Sequence, residues 1–168
     1  MSLPDDPLWT WALGFYARPG VAPACLVLQD RLQLDVCVLL HALFRQAQGQ
    51  PPGPAAIAEA DAHVRPWRSE VVVPLRQLRR RMKAGWPEVP EAEAEAARSA
   101  VKAAELQAER VVLSRLYAWG APPRPAGPHG SAAREVCRYF AQASGTTAEL
   151  ESDEVRAALA TLEAAASS

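Results

Sequence analysis

Two consecutive segments, Val21 to Leu32 and Leu34 to Gln48, are apolar around most of their circumference. A helix with only one apolar stripe lies on a surface, whereas one that is apolar all round must be enclosed by other elements. This pair therefore predicts the centre of a helical bundle. Between the segments Gln29, Asp30, Arg31, Gln33 and Asp35 interrupt the apolar run. A tight junction is expected there, with Asp35 placed to cap the third helix.

The flanking sequence supports the same architecture. Asp6 followed by Pro7 is a helix start, and Leu8, Trp9, Ala12, Leu13 and Tyr16 follow at helical spacing to a stop near Arg18. The run QPPGP at Gln50 to Pro54 is a loop, followed by a short helix from Ala55 to about Val64. From Pro66 to Lys83 the residues Trp67, Val71, Leu75, Leu78 and Met82 share one face, with Pro74 expected to kink or divide the helix. The longest helix is expected from Glu91 to about Trp119, opened by Pro90 with early glutamates and closed by Gly120. Proline and glycine crowd residues 121–130, which reads as a linker. Beyond it Ser131 is expected to cap a helix to about Ser144, and another follows from Ser152 to about Ala165.

The fold expected is therefore all-α: a bundle of about five helices over residues 5–120, a linker at 121–130 and a two-helix C-terminal appendage at 131–168. A chain of 168 residues buries enough surface to need no metal or disulfide staple. Its alanine-rich 49% hydrophobic fraction favours helix. Cys25, Cys37 and Cys137 are an odd number set in apolar stretches, which reads as buried thiols in a reducing, cytoplasmic compartment. The N-terminus has no basic region before an apolar one, and no apolar run approaches a membrane span, so neither secretion nor membrane insertion is expected.

With 18 basic and 19 acidic residues the net charge is -1, so any attraction to an anionic surface must be local. One local excess exists. Arg65, Arg68, Arg76, Arg79, Arg80, Arg81 and Lys83 stand against Glu70 alone between residues 65 and 83. Arg76, Arg79, Arg80 and Lys83 are the candidate contacts for a protein or anionic partner. The competing account is that Glu88, Glu91, Glu93, Glu95, Glu105 and Glu109 on the next helix neutralise them by antiparallel pairing. No aromatic is interleaved among the arginines as a base-stacking platform requires, which disfavours nucleic acid.

A second candidate is the polar group Gln29, Asp30, Asp35 and His41, set among the most hydrophobic residues of the chain. Unpaired charge there is costly. Arginines from the Trp67 to Lys83 segment would satisfy it structurally, or the group would line an interhelical ligand pocket. Cys37 and His41 lie four apart, yet two ligands do not make a zinc site and no second pair stands nearby, so no metal or other cofactor is expected. Glu105 and Glu109 lack the Glu-x-x-His partners of a di-iron bundle. Phosphate-loop, nucleophile-elbow and His-Glu-x-x-His patterns are missing. Five tryptophans, Trp9, Trp11, Trp67, Trp86 and Trp119, either fill gaps between helices or offer an apolar patch.

Three segments in order carry a resemblance: Trp9 to Tyr16 leading to GVAPACLVLQD and LDVCVLLH; WRSEVVVPLRQLRRRMK from Trp67; and ELQAERVVLSRL from Glu105. Together, over about Leu8 to Trp119, they resemble a proteobacterial family of small proteins defined by sequence, with no assigned activity. The resemblance implies no cofactor or catalytic residue. This chain departs from the pattern at Gln33, where a glycine is expected between the helices, and at Cys37, where a small polar residue is usual. The favoured function is a non-enzymatic cytoplasmic binding or adaptor protein using the arginine face. The alternatives are a small-ligand binder or enzyme with an interhelical Asp/His/Arg pocket, and a structural subunit whose tryptophans pack against a second copy in a homodimer.

Overall fold

Each helix begins where local chemistry permits. The structure is a computed structural model that describes residues 6–120 and 130–167, and all regular secondary structure in them is helical. Helices α1 (Pro7–Tyr16), α2 (Val21–Leu32) and α3 (Val36–Ala47) are followed by α4 (Pro54–Trp67), α5 (Val73–Met82) and α6 (Glu91–Trp119). Helices α7 (Ala132–Ser144) and α8 (Asp153–Ala166) complete the chain. Apart from Gly130, the expected linker lies outside the described residues.

The Asp6 carboxylate accepts from Trp9 N at 2.7 Å and caps α1. Asp35 caps α3, accepting from Cys37 N at 2.7 Å and Val38 N at 3.2 Å. Between α2 and α3 the chain turns through Gln33 at φ 53°, a left-handed conformation that favours glycine. The departure noted at Gln33 thus falls where backbone geometry makes glycine the easier residue. At the start of α7 the expected Ser131 cap does not form. Instead the side chain of Gln46, from the end of α3, accepts from Ala132 N at 2.7 Å, so one of the orphan N–H groups of α7 is satisfied from another helix.

Between residues 54 and 82 the chain is a two-part helix, divided just before Pro74. Pro66 lies inside α4, and the chain passes from α4 into α5 through a five-residue π turn, Arg68–Val72, without leaving helical angles. Val73 N bonds to Arg68 O, one residue farther back than in an α-helix. The wider turn comes immediately before Pro74, whose ring would crowd the carbonyl four residues back and which has no N–H to donate. The division near Pro74 takes the form of this π turn.

Every residue of α3 from Cys37 to Phe44 is buried, as its all-round apolar pattern requires. Helix α8 lies along α2, and α7 packs on α3 and α4. Their buried residues, among them Val136, Phe140, Leu159 and Leu162, belong to the same apolar cluster as Leu8, Leu28 and Leu39. The two C-terminal helices are therefore docked in the core. Their approach is close at Gly20, where φ is +79° and an added Cβ would sit 3.0 Å from Thr161 Cγ2. By contrast α5 buries no residue fully, and α6 buries none before Glu105. The second half of α6 enters the core through Ala108, Val112, Leu113 and Leu116, while its first half pairs with α5 and closes one side of a cavity. No single described helix is long and apolar enough to cross a membrane.

Candidate functional site

Residues three or four apart on a helix share a face, so Arg76 and Arg79 of α5 point together toward Glu105 and Glu109 of α6. Arg76 Nε donates to Glu105 at 3.1 Å and its Nη2 donates to Glu109 at 2.6 Å. Arg79 donates to Glu105 through Nε and, at 3.3 Å, through Nη2. Glu105 is thus held by two guanidinium groups and Glu109 by one. Burial pushes the Glu105 carboxyl up, but the bonds from Arg79 and Arg76 outweigh it and hold its pKa below the ordinary value. At Glu109 burial wins over Arg76, and Glu105 and Asp35 add to it, so its pKa is raised.

Part of the basic segment is thus paired within the chain. Arg76 and Arg79 meet glutamates of the next helix, and Arg80, turned to another face, pairs with Asp30 of α2 at 2.9 Å. Lys83 lies apart, lining a second, more polar pocket of about 590 Å³ at the tip of the α5–α6 pair with Trp86 and Val89. The four candidate contacts do not form one open row of donors.

Arg76, Arg79, Glu105 and Glu109 form one wall of a cavity of about 530 Å³ between α1, α2, α3 and the α5–α6 pair. That volume lies within the range of small-molecule sites, as does the mostly apolar lining with a few polar groups at one side. Trp9 and Tyr16 of α1, Leu40 of α3 and Leu113 of α6 supply the apolar floor. Leu13, Leu26 and Leu106, from three different helices, stand at the cavity 51%, 48% and 47% exposed. Gln29 and Lys102 complete the polar side. Three cations, Arg76, Arg79 and Lys102, thus face two carboxylates, leaving an excess of one positive charge when both acids are ionised.

Of the expected polar group, only Gln29 lines this cavity. Neighbouring residues on a helix point about 100° apart, so Asp30 faces outward to Arg80 while Gln29 faces inward. Asp35 is buried and receives Arg68 Nη1 at 3.0 Å, the structural solution weighed for it from sequence. His41 lies elsewhere, 6.3 Å from the Trp119 ring, which His63 stacks against from α4. Burial, helped by Arg45, lowers the His41 pKa to about 4.

Sequence reasoning passed over Asp61, which is 2% exposed. It receives Arg65 Nη2 at 2.5 Å, Arg68 Nη1 at 2.5 Å and the Tyr139 hydroxyl at 2.8 Å. Burial pushes its carboxyl up, and these donors outweigh it and hold the pKa below the ordinary value. The signal was present: Asp61 falls between Ile57 and Val64 at helical spacing, on the buried stripe of α4.

Cys37 also borders the cavity, but burial, with Asp35 nearby, holds its thiol well above its ordinary pKa. It is a protonated thiol whose Sγ lies 3.9 Å from Glu109 O. Among the described residues no group of three His, Cys, Asp or Glu side chains is placed to hold a metal ion. The tryptophans are divided in use. Trp11 stacks on Phe15 at 4.7 Å, Trp67 donates through Nε1 to Ala108 O at 3.0 Å, and Trp86 is 45% exposed at the hairpin tip.

No curated protein and no solved structure matches the chain. The cavity is built from residues between Trp9 and Leu113 and so lies wholly inside a segment that a family model matches. That match, over residues 7–116, is to the family described as a protein of unknown function (DUF2390), and the chain belongs to this family.

Proposed function

We propose that this chain is a non-enzymatic binding protein whose binding element is the cavity between α1, α2, α3 and the α5–α6 pair, taking a small molecule with an apolar body. The observation that carries this reading is the convergence of half-exposed Leu13, Leu26 and Leu106 on a space of about 530 Å³. Large apolar side chains left in contact with water around a concave site mark a surface that a partner covers. Of the arginines expected to face an anionic partner, Arg76 and Arg79 form the polar end of the cavity. Binding rather than catalysis is favoured because Cys37, the one thiol bordering the space, is held protonated by burial.

The test is titration with the neutral apolar dye Nile red in the wild type and in Ala103→Trp. Ala103 lines the cavity yet is exposed, so an indole there fills space without entering the core. Saturable binding in the wild type, lost in Ala103→Trp at unchanged melting temperature, is expected. Equal binding by both proteins, or none by either, contradicts the reading.

A further inference from the structure

Resting on that reading, we propose that the ligand is a fatty-acid-like amphiphile whose carboxylate head replaces the Glu109 carboxylate on Arg76 while its tail covers Leu13, Leu26 and Leu106. The two glutamates on the charged wall are held unequally. Glu105 receives both Arg76 and Arg79, and its side chain is 7% exposed. Glu109 receives Arg76 alone, through a single oxygen at 2.6 Å, and is 27% exposed. Held by one bond where Glu105 is held by three, Glu109 is the counter-ion that a ligand displaces at the least cost.

The seat it would vacate already fits a carboxylate. That seat is the Arg76 Nη2 donor, which makes a charge-assisted bond to one carboxylate oxygen while Arg76 Nε stays on Glu105. Charge favours an acid over a neutral or basic head. With both glutamates ionised the wall keeps one excess positive charge, and Lys102, on its rim, makes no ion pair among the described residues. Burial raises the Glu109 pKa, which eases its release from Arg76. A ligand that brings its own carboxylate restores the pairing of Arg76, and its tail removes three leucines on three helices from water.

Calorimetric titration of the full chain with decanoate, decanol, decyltrimethylammonium and decyl phosphate tests this. Decanoate is expected to bind about tenfold or more tightly than decanol, the scale of a charge-assisted hydrogen bond, with the cation weakest. Glu109→Gln, which removes the competing charge at near-constant shape, is expected to tighten decanoate several-fold. Lys102→Glu, at an exposed position, is expected to narrow the preference for decanoate over decanol. Decanol binding as tightly as decanoate overturns the anionic head and leaves the apolar cavity standing. Decyl phosphate binding more tightly than decanoate overturns the carboxylate. Weaker decanoate binding by folded Glu109→Gln overturns the displacement. Failure of all four probes overturns the cavity reading itself.

Discussion

Arg68 and Asp35 meet at 3.0 Å although 33 positions separate them, and the same guanidinium nitrogen reaches Asp61 at 2.5 Å. Arg68 opens the π turn, so the irregularity just before Pro74 begins at the residue that joins the start of α3 to α4. Both aspartates are buried, and Tyr139 extends the network to α7.

Removing Arg68 leaves two buried carboxylates short of a partner. Arg68→Ala is expected to lower the unfolding free energy by about 3–5 kcal/mol, the usual cost of breaking a buried pair from one side. Arg80→Ala removes an exposed pair with Asp30 and is expected to cost less than about 1 kcal/mol. Urea denaturation of both variants measures the contrast, and equal losses would contradict it.

How much of this was legible depended on whether the cause was local. Asp6 with Pro7 and the closing Gly120 mark helix ends through their own backbone chemistry, and the helices lie where those residues put them. The enclosed position of α3 followed from its lack of a polar face. The π turn was not legible, because Pro66 and Pro74 each argue for a break, while the packing of α4 and α5 on α6 is written in no local spacing. Gln29, Asp30, Asp35 and His41 read as one cluster because they are close in sequence, yet helical rotation and the turn at Gln33 send them to four surroundings. The cavity gathers residues from five helices, a convergence that no single spacing records.

His41 predicts a fall in stability on mild acidification. Its folded pKa, about 4, lies below the ordinary 6.5, so the unfolded chain takes up a proton first. Stability is therefore lost as pH falls from about 6.5 toward 4, by an amount on the order of 3 kcal/mol. Arg45 on its own helix opposes the charge, and His63 across the Trp119 ring lies near it. His41→Phe is expected to flatten this limb in melts taken across the range; an unchanged slope would place its origin elsewhere. The lowered carboxyls of Asp61 and Glu105 act at lower pH, where their contribution is lost as they protonate below about pH 4.

The C-terminal helices are expected to unfold with the bundle. Leu162 of α8 is fully buried, and Leu162→Ala removes packing worth about 2–5 kcal/mol. The loss should appear as one shifted transition in denaturation followed by tryptophan fluorescence, although all five tryptophans precede α7. A tryptophan signal indifferent to Leu162→Ala would mean that α8 melts independently.

Gly20 offers a second check on the same docking. Gly20→Ala places a Cβ against Thr161 in a left-handed backbone conformation, and a loss of about 1 kcal/mol or more is expected. Adding Thr161→Ser, which deletes the opposed methyl, is expected to recover part of it, leaving only the backbone cost.

The central claim is that the cavity is where this protein binds, and leucine-methyl NMR during titration with decanol tests it most directly, because a neutral probe asks only about the apolar space. The account predicts that Leu13, Leu26, Leu40 and Leu106 shift together and saturably while Leu159 and Leu162 on α8 stay in place. Resonances that do not move, or that move equally across the core and the cavity, would contradict it.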